Sequence, residues 1–350
     1  MKLPSEDLDL IAAATEGLWD EVRGRQLFIT GGTGFFGSWL VESFCHLNRI
    51  LGLDARLTIL TRNPGGFAQK SPHLASDPAV TLLAGDIRTF AFPAGEFPFI
   101  IHAATEARAS QATKAPLEML STIVAGTERA LQFAASHGTT KFLLTSSGAV
   151  YGPQPPSLTH VTEIFAGAPD PLLPSSVYGE GKRVAELLCA LYQNTNPALQ
   201  CKIARCWAFC GPHLPLDQHF AIGNFLGDVL AGRAIRVHGD GAPRRSYLYA
   251  AELTIWLWTI LFRAPALTPI NVGSDCDLSI LELAQTVAAV LNAQAEIIVA
   301  SQPLLGISPP RYVPSIDRAW NLLNLRPTVS LESTISRTAD WHRQARRLND

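Results

Sequence analysis

Five stretches of the chain are apolar almost without interruption, and each ends in small or turn-forming residues. Residues 26–30 (QLFIT), 56–61 (RLTILT), 80–86 (VTLLAGD), 99–104 (FIIHAA) and 141–147 (KFLLTSS) read as strands. Between them lie segments with helical spacing: Trp39, Leu40, Ser43, Phe44 and Leu47 after the first strand, then helices near 117–136 and 180–192. Strands apolar on both faces and alternating with helices predict a parallel sheet covered on both sides. The fold class is therefore α/β, with a doubly wound nucleotide-binding domain over residues 25–205. Ahead of it, Ser5 followed by Glu6, Asp7 and the Leu8/Ile11/Ala12 spacing predicts an N-capped amphipathic helix in an extension over residues 1–24.

Beyond Arg205 the pattern changes to Gly- and Pro-rich loops (GPHLPLD, GDGAPRR, RAPALTP) and shorter helices near 222–231 and 279–291. The prolines of 302–315 exclude a regular helix there. Residues 206–350 read mainly as a smaller second α/β domain, part of it returning to the first sheet. The apolar stretch 253–262, bounded by Glu252 and Arg263, is too short to cross a bilayer. Acidic residues near the N-terminus argue against an export signal, so a soluble, cytoplasmic protein is expected. Trp256 and Trp258 read as core. The spacings Leu117, Leu120, Val124, Leu131 and Val184, Leu187, Leu188, Leu191 each predict a stripe that packs on the sheet.

Composition narrows the function. Lys and Arg number 28 against 30 Asp and Glu in 350 residues, a net charge of -2. No overall basic field exists for nucleic acid or anionic lipid, and an anionic ligand must be caught locally. The 6 cysteines form no CxxC pair, and the Cys206/Cys210 spacing lacks partners for a zinc site, so free buried thiols are expected. His213 and His219, flanking Asp217, read as polar surface or substrate wall, and no metal is expected.

The candidate chemistry begins at Thr30-Gly31-Gly32-Thr33-Gly34-Phe35-Phe36-Gly37, glycines directly after a strand and before a helix. Glycine permits positive φ, lets a pyrophosphate approach the backbone, and lets the helix start against the sheet. An acid about 20 residues on often takes the ribose hydroxyls, but here Thr61-Arg62-Asn63 stands at the end of the second strand. Arg62 suits a 2′-phosphate, which keeps NADP beside NAD, or is a solvated loop cation. Asp86, at the end of the third strand, is suited to accept from an adenine amino group. Further on, Ser146-Ser147-Gly148 closes a strand, and Tyr178 and Lys182 sit four apart on one helix face. A Lys ammonium beside a phenol lowers the phenol's pKa from about 10, making Tyr178 a general acid/base. Ser147 would bond the same substrate oxygen while hydride moves to or from a nicotinamide.

In this order, TGGTGFFG, HAA, SSGAVYG and YGEGK resemble the extended short-chain dehydrogenase/reductases of the NAD-dependent epimerase/dehydratase family, which act on nucleotide-sugars. The resemblance runs from about Gln26 to Trp341 and implies a Rossmann-type domain with a smaller C-terminal substrate domain. It implies cofactor contacts at Gly31, Thr33, Gly34, Phe35, Phe36, Gly37, Asp86, Ile87, Ala103 and Ala104, and a catalytic set of Ser147, Tyr178 and Lys182. Thr105, Ser147, Gly148, Asn224 and Arg245 are the implied contacts to a nucleotide-diphosphate sugar, and a homodimer through two paired helices is implied. Two departures stand out. Ala208 replaces the Asn of an RxFN-like segment, and Gly148-Ala149 replace the Asp-Glu pair of the 4,6-dehydratases, which removes the acid that protonates a leaving hydroxyl. Epimerisation after transient oxidation at a sugar carbon, C4 foremost, is the leading expectation. Decarboxylation of the UDP-xylose synthase type, favoured by EGKR at 180–183, and NADPH-dependent 4-keto-sugar reduction are the alternatives, and a non-catalytic dinucleotide sensor is set aside because Tyr178 and Lys182 are both present.

Overall fold

The computed structural model describes residues 1–105, 114–218, 220–302, 306 and 308–347. Its strands are β1 (Gln26–Thr30), β2 (Arg56–Thr61), β3 (Val80–Ala84), β4 (Phe99–His102), β5 (Lys141–Ser147), β6 (Gln200–Cys206), β7 (Phe209–Cys210), β8 (Ile235–Val237), β9 (Arg244–Ser246), β10 (Leu248–Tyr249), β11 (Pro269–Val272), β12 (Asp277–Ser279), β13 (Ile297–Val299) and β14 (Arg311–Tyr312). The helices are α1 (Ser5–Ala14), α2 (Phe35–Ile50), α3 (Pro64–Lys70), α4 (Pro72–Ala75), α5 (Pro116–Ser136), α6 (Val177–Thr195), α7 (Ala221–Leu230), α8 (Ala250–Arg263), α9 (Ile280–Val290), α10 (Asp317–Leu323) and α11 (Leu331–Arg347).

Seven strands pair in parallel in the order β11-β6-β5-β4-β1-β2-β3, a Rossmann-type doubly wound sheet. The apolar runs explain the order. Leu27, Phe28, Ile29, Ile100, Ile101, Leu143 and Leu144 are buried on both faces, which only helices on each side permit. One layer, α2 with α8, encloses Trp39, Phe44, Trp256 and Trp258; the other, α5 with α6, encloses Phe28, Phe97, Phe133 and Phe142. The order of strands reverses between β1 and β4, the switch point beyond whose carboxyl ends doubly wound sheets bind their ligands. Residues 206–350 contribute β11 to this sheet and build a second small core from Leu214, Ile222, Phe225, Leu226, Leu283, Val287 and Ile335.

The extension forms a helix that starts at Ser5, but its cap position is Pro4, with no side-chain cap, so Ser5 does not play the predicted role. Packing supplies what the cap does not: Leu8, Ile11 and Trp19 join the main core, and Trp19 meets Trp258 edge-on at 4.9 Å. Asp7 is fully buried, accepting from Tyr249 (2.6 Å) and from Arg337 of α11 (2.9 Å). The stripes predicted for α5 and α6 are only partly displaced: Leu131 is fully buried and Leu188 packs against the core as expected, with Leu120, Val124 and Val184 half-buried. Met119, Ile123, Thr127, Ala130 and Ala134, and Gly181, Lys182, Ala185 and Cys189, face inward. Leu117, Leu187 and Leu191 are exposed instead, at 81%, 57% and 54%. Five cysteines are buried free thiols, and Cys276 departs from expectation by being exposed. Among the described residues no helix is long and apolar enough to cross a membrane.

Candidate active site

Each glycine of the turn meets a different steric demand. Gly31 has φ +74°, and a Cβ there would come within 2.5 Å of the Ala103 carbonyl and 2.7 Å of the Ala104 nitrogen. A Cβ at Gly37 would lie 2.2 Å from the Gly31 carbonyl, so the first turn of α2 starts in contact with the loop. Gly34 is exposed, and a Cβ there would meet nothing closer than 3.5 Å. It leaves an open face beside the N-terminus of α2, whose first-turn N–H groups have no intrahelical acceptors. This cradle fits a pyrophosphate. Thr33 is half-buried in the same turn, and Phe36 packs edge-on against Phe209 at 5.1 Å.

Beneath the turn lies a residue that sequence reasoning missed, His102, within the HAA motif. Its Nδ1 lies 2.8 Å from Thr30 Oγ1 and its Nε2 3.1 Å from Thr127 Oγ1. The Thr127 hydroxyl donates to the Ile123 carbonyl (2.6 Å), so it accepts from Nε2–H, and Thr30 donates to Nδ1 while accepting the Ala104 N–H (3.1 Å). Burial, with Lys182 nearby, depresses the ring's pKa to about 3, so His102 stays neutral in a fixed tautomer.

Ser147 ends β5 and Tyr178 and Lys182 lie on the inward face of α6, so the three predicted residues converge. Ser147 Oγ accepts the Ala149 N–H at 3.1 Å and lies close enough to the Tyr178 and Tyr312 phenols to lower the pKa of each. The predicted effect of Lys182 on Tyr178 is not what the geometry gives. Burial drives the Tyr178 phenol up to about 12, the Ser147 hydrogen bond only partly opposing it, and burial drives Lys182 down to about 8. The ammonium sits 5.9 Å from the phenol ring and donates to Thr145 O (2.7 Å) and Thr105 Oγ1 (2.8 Å). Loss of water outweighs mutual attraction, because both groups are taken from solvent and neither bonds the other. Thr105, expected at the substrate, is thus brought to Lys182.

On the opposite wall stand Trp207 and Tyr312, 4.3 Å apart, also missed. Tyr312 reaches the site only because β14 pairs with β9, a long-range pairing with no sequence signal. A Cβ at Gly148 would fall 2.7 Å from the Trp207 ring and 2.8 Å from the Tyr312 hydroxyl. The place taken by an acid in the dehydratase pattern is therefore filled with aromatic rings. Arg245, on β9, lies 5.7 Å over the Tyr312 ring and donates to the Arg244 carbonyl (2.8 Å). Among the described residues it has no carboxylate partner, whereas Arg244 is tied to Asp277 and Glu282. A largely desolvated guanidinium without a counter-ion suits an anionic ligand. Asn224 is half-buried on α7, and Ala208, replacing Asn, uses only its carbonyl, on Leu248 N–H (3.0 Å).

Just beyond β3, Asp86 is already held. Arg88 donates Nε and Nη2 to its two oxygens at 2.8 Å each, and these bonds depress the carboxyl to about 2, with Arg62 adding a weaker pull. Any adenine amino group shares Asp86 with Arg88. Ile87 is buried against Gly126, and Arg62 is exposed. His213 is half-buried with its ring 4.5 Å from Trp341, while His219 lies outside the described residues. Among the described residues no group of three metal-ligating side chains converges.

Known proteins resemble the chain. Residues 27–273 match the NAD dependent epimerase/dehydratase family. UDP-glucuronic acid decarboxylase 1 of Arabidopsis thaliana is 30% identical over 313 residues, 89% of this chain and 68% of the relative. The dTDP-glucose 4,6-dehydratase DesIV of Streptomyces venezuelae, solved with NAD bound, superposes with a TM-score of 0.78 at 24% identity, covering 92% of this chain and 98% of its own. A UDP-N-acetylglucosamine 4-epimerase of Methanobrevibacter ruminantium superposes with a TM-score of 0.78 at 19% identity, covering 92% and 99%. Glycine turn, sheet order and matched residues lead to one conclusion: the chain is an enzyme of the NAD-dependent epimerase/dehydratase family.

Proposed function

We propose that the protein inverts C4 of a nucleoside-diphosphate sugar through a transient 4-ketone. The observation that carries this reading is the convergence of Ser147, Tyr178 and Lys182 beside the glycine turn, with no acid at 148–149. Bound along Gly31–Gly37, NAD supplies the hydride acceptor and donor. Ser147 holds the C4 oxygen, Tyr178 takes its proton and later returns it, and Lys182, anchored on Thr145 and Thr105, keeps its ammonium 5.9 Å from the phenol ring. Arg245, with Asn224, grips the diphosphate, so the sugar is free to present either face once oxidised. Water elimination lacks its proton donor, and the aromatic wall leaves no room for one.

Decarboxylation is the second reading, favoured by the similarity to curated UDP-glucuronic acid decarboxylases. A 4-keto uronate is a β-keto acid and loses carbon dioxide without a further residue, so the substrate, not the trio, decides between the outcomes. We also propose a homodimer, formed through the exposed Leu117, Leu187 and Leu191 of α5 and α6, and a cytosolic setting for its free thiols. Purified protein is incubated with UDP-, dTDP-, GDP- and CDP-sugars and uronates and analysed by liquid chromatography and mass spectrometry. A new peak of unchanged mass supports epimerisation, loss of carbon dioxide replaces it with decarboxylation, and loss of water overturns both. Tyr178→Phe abolishes turnover while NAD still binds; turnover at the wild-type rate refutes the assignment.

A further inference from the structure

We propose that Glu186, Arg205 and Ser146 are positioning residues, a buried brace that sets where the helix carrying Tyr178 and Lys182 stands against the strand carrying Ser147. Glu186 lies one turn beyond Lys182 on α6. Its Oε1 accepts from Ser146 Oγ (2.5 Å) and Arg205 Nε (3.0 Å), and its Oε2 accepts from Arg205 Nη2 (2.7 Å). Ser146 and Arg205 are direct neighbours in the sheet, one residue from Ser147 and Cys206. Successive strand side chains point to opposite faces, so Ser146 reaches α6 through Glu186 while Ser147, the next residue, stands at the end of the strand. Only 14% and 12% of the Arg205 and Glu186 side chains are exposed.

An apolar pair of similar volume would hold helix to sheet as firmly, since burying an ion pair costs desolvation that its attraction barely offsets. A two-pronged Arg–carboxylate contact with a third donor adds direction: it fixes both rotation and axial position of the helix. The network also reaches the opposite wall. Arg205 Nη1 donates to the Tyr151 hydroxyl (2.9 Å), which donates to Asn271 Oδ1 (2.9 Å), and the same oxygen accepts from Trp207 Nε1 (3.2 Å). One continuous chain of bonds therefore joins the helix of Tyr178 to the ring that packs on Tyr312.

The brace rests on the reading of Tyr178 as acid/base, and its test does not need the sugar. Protein labelled with 3-fluorotyrosine is saturated with NAD, the Tyr178 fluorine signal is assigned with Tyr178→Phe, and its titration is followed. Ser146→Ala, which changes no charge, shifts the Tyr178 midpoint by at least about half a unit; Glu186→Gln shifts it further, and Arg205→Lys less, because Lys cannot form the fork. The NAD dissociation constant stays within about twofold, a small change in binding free energy. An unmoved midpoint in Ser146→Ala and Arg205→Lys, with only thermal stability reduced, overturns the proposal, whether or not Glu186→Gln folds. A wild-type protein inert toward every nucleotide-sugar, yet with a shifted midpoint in the variants, refutes the epimerase reading and leaves the brace standing.

Discussion

A methyl group at position 148 has nowhere to go. Gly148→Ala forces the Trp207 ring or the Tyr312 hydroxyl aside, an overpacking expected to cost about 1–3 kcal/mol and most of the activity. Urea denaturation and turnover together check it, and adding Trp207→Leu recovers stability if the clash is the cause; a fully stable, active single variant refutes the steric argument. The glycines of the turn were legible because each fails for a local reason: a positive φ, an open ligand face, a helix start against the loop. Arg88 and Tyr312 were not. Arg88 acts on Asp86 through a turn whose geometry no spacing rule predicts, and Tyr312 comes from a segment more than a hundred residues beyond the trio, through the pairing of β14 with β9. His102 was visible as part of HAA, but its neutral, hydrogen-bonded state depends on Thr30 and Thr127, which only the fold brings to it.

Elements were easier to read than faces. Continuous apolar runs located the first five strands, with ends wrong by up to two residues where β3 and β4 stop early. The faces of α5 and α6 were read correctly at Leu131 and Leu188 but not at Leu117, Leu187 and Leu191, because both helices carry leucines outside the stripe that meets the sheet. Small residues, Gly181, Ala185 and Cys189, let α6 approach the sheet, while Leu187 and Leu191 point away. Pairing those leucines in a second copy buries them, which is why Leu187→Arg with Leu191→Arg is expected to give a monomer by light scattering, with the fold retained by circular dichroism. A wild-type protein already monomeric at micromolar concentration removes the dimer. The cap at Ser5 failed for a related reason: burial of Leu8, Ile11 and Asp7 fixes the helix start, and propensity at its end is secondary.

Across the whole molecule, acid sensitivity follows from histidines held neutral. Burial depresses His213 to about 3, with Lys70 and the N-terminal amine adding to it, and depresses His342 to about 4 and His102 to about 3. In the unfolded chain each takes a proton near its ordinary value of about 6.5. The unfolded state therefore binds more protons below that value. The stabilisation is complete above about pH 6.5 and is progressively lost as pH falls toward about 4, where the native histidines themselves begin to titrate. Urea midpoints measured from pH 7.5 downward are expected to fall through that window, and His213→Gln to flatten the slope. A flat profile contradicts the buried neutral state.

The anchoring of Asp7 also bears on the order in which the protein is made. Its partners Tyr249 and Arg337 stand 242 and 330 residues further along the chain. On the ribosome the parallel sheet can pair strand by strand as β1 to β6 emerge, but the first helix waits beside it with its carboxylate unmatched by a cation until Arg337 has been made. Completion of the native state is thus tied to the emergence of α11, and a nascent protein truncated before α11 carries a buried acid without its cation.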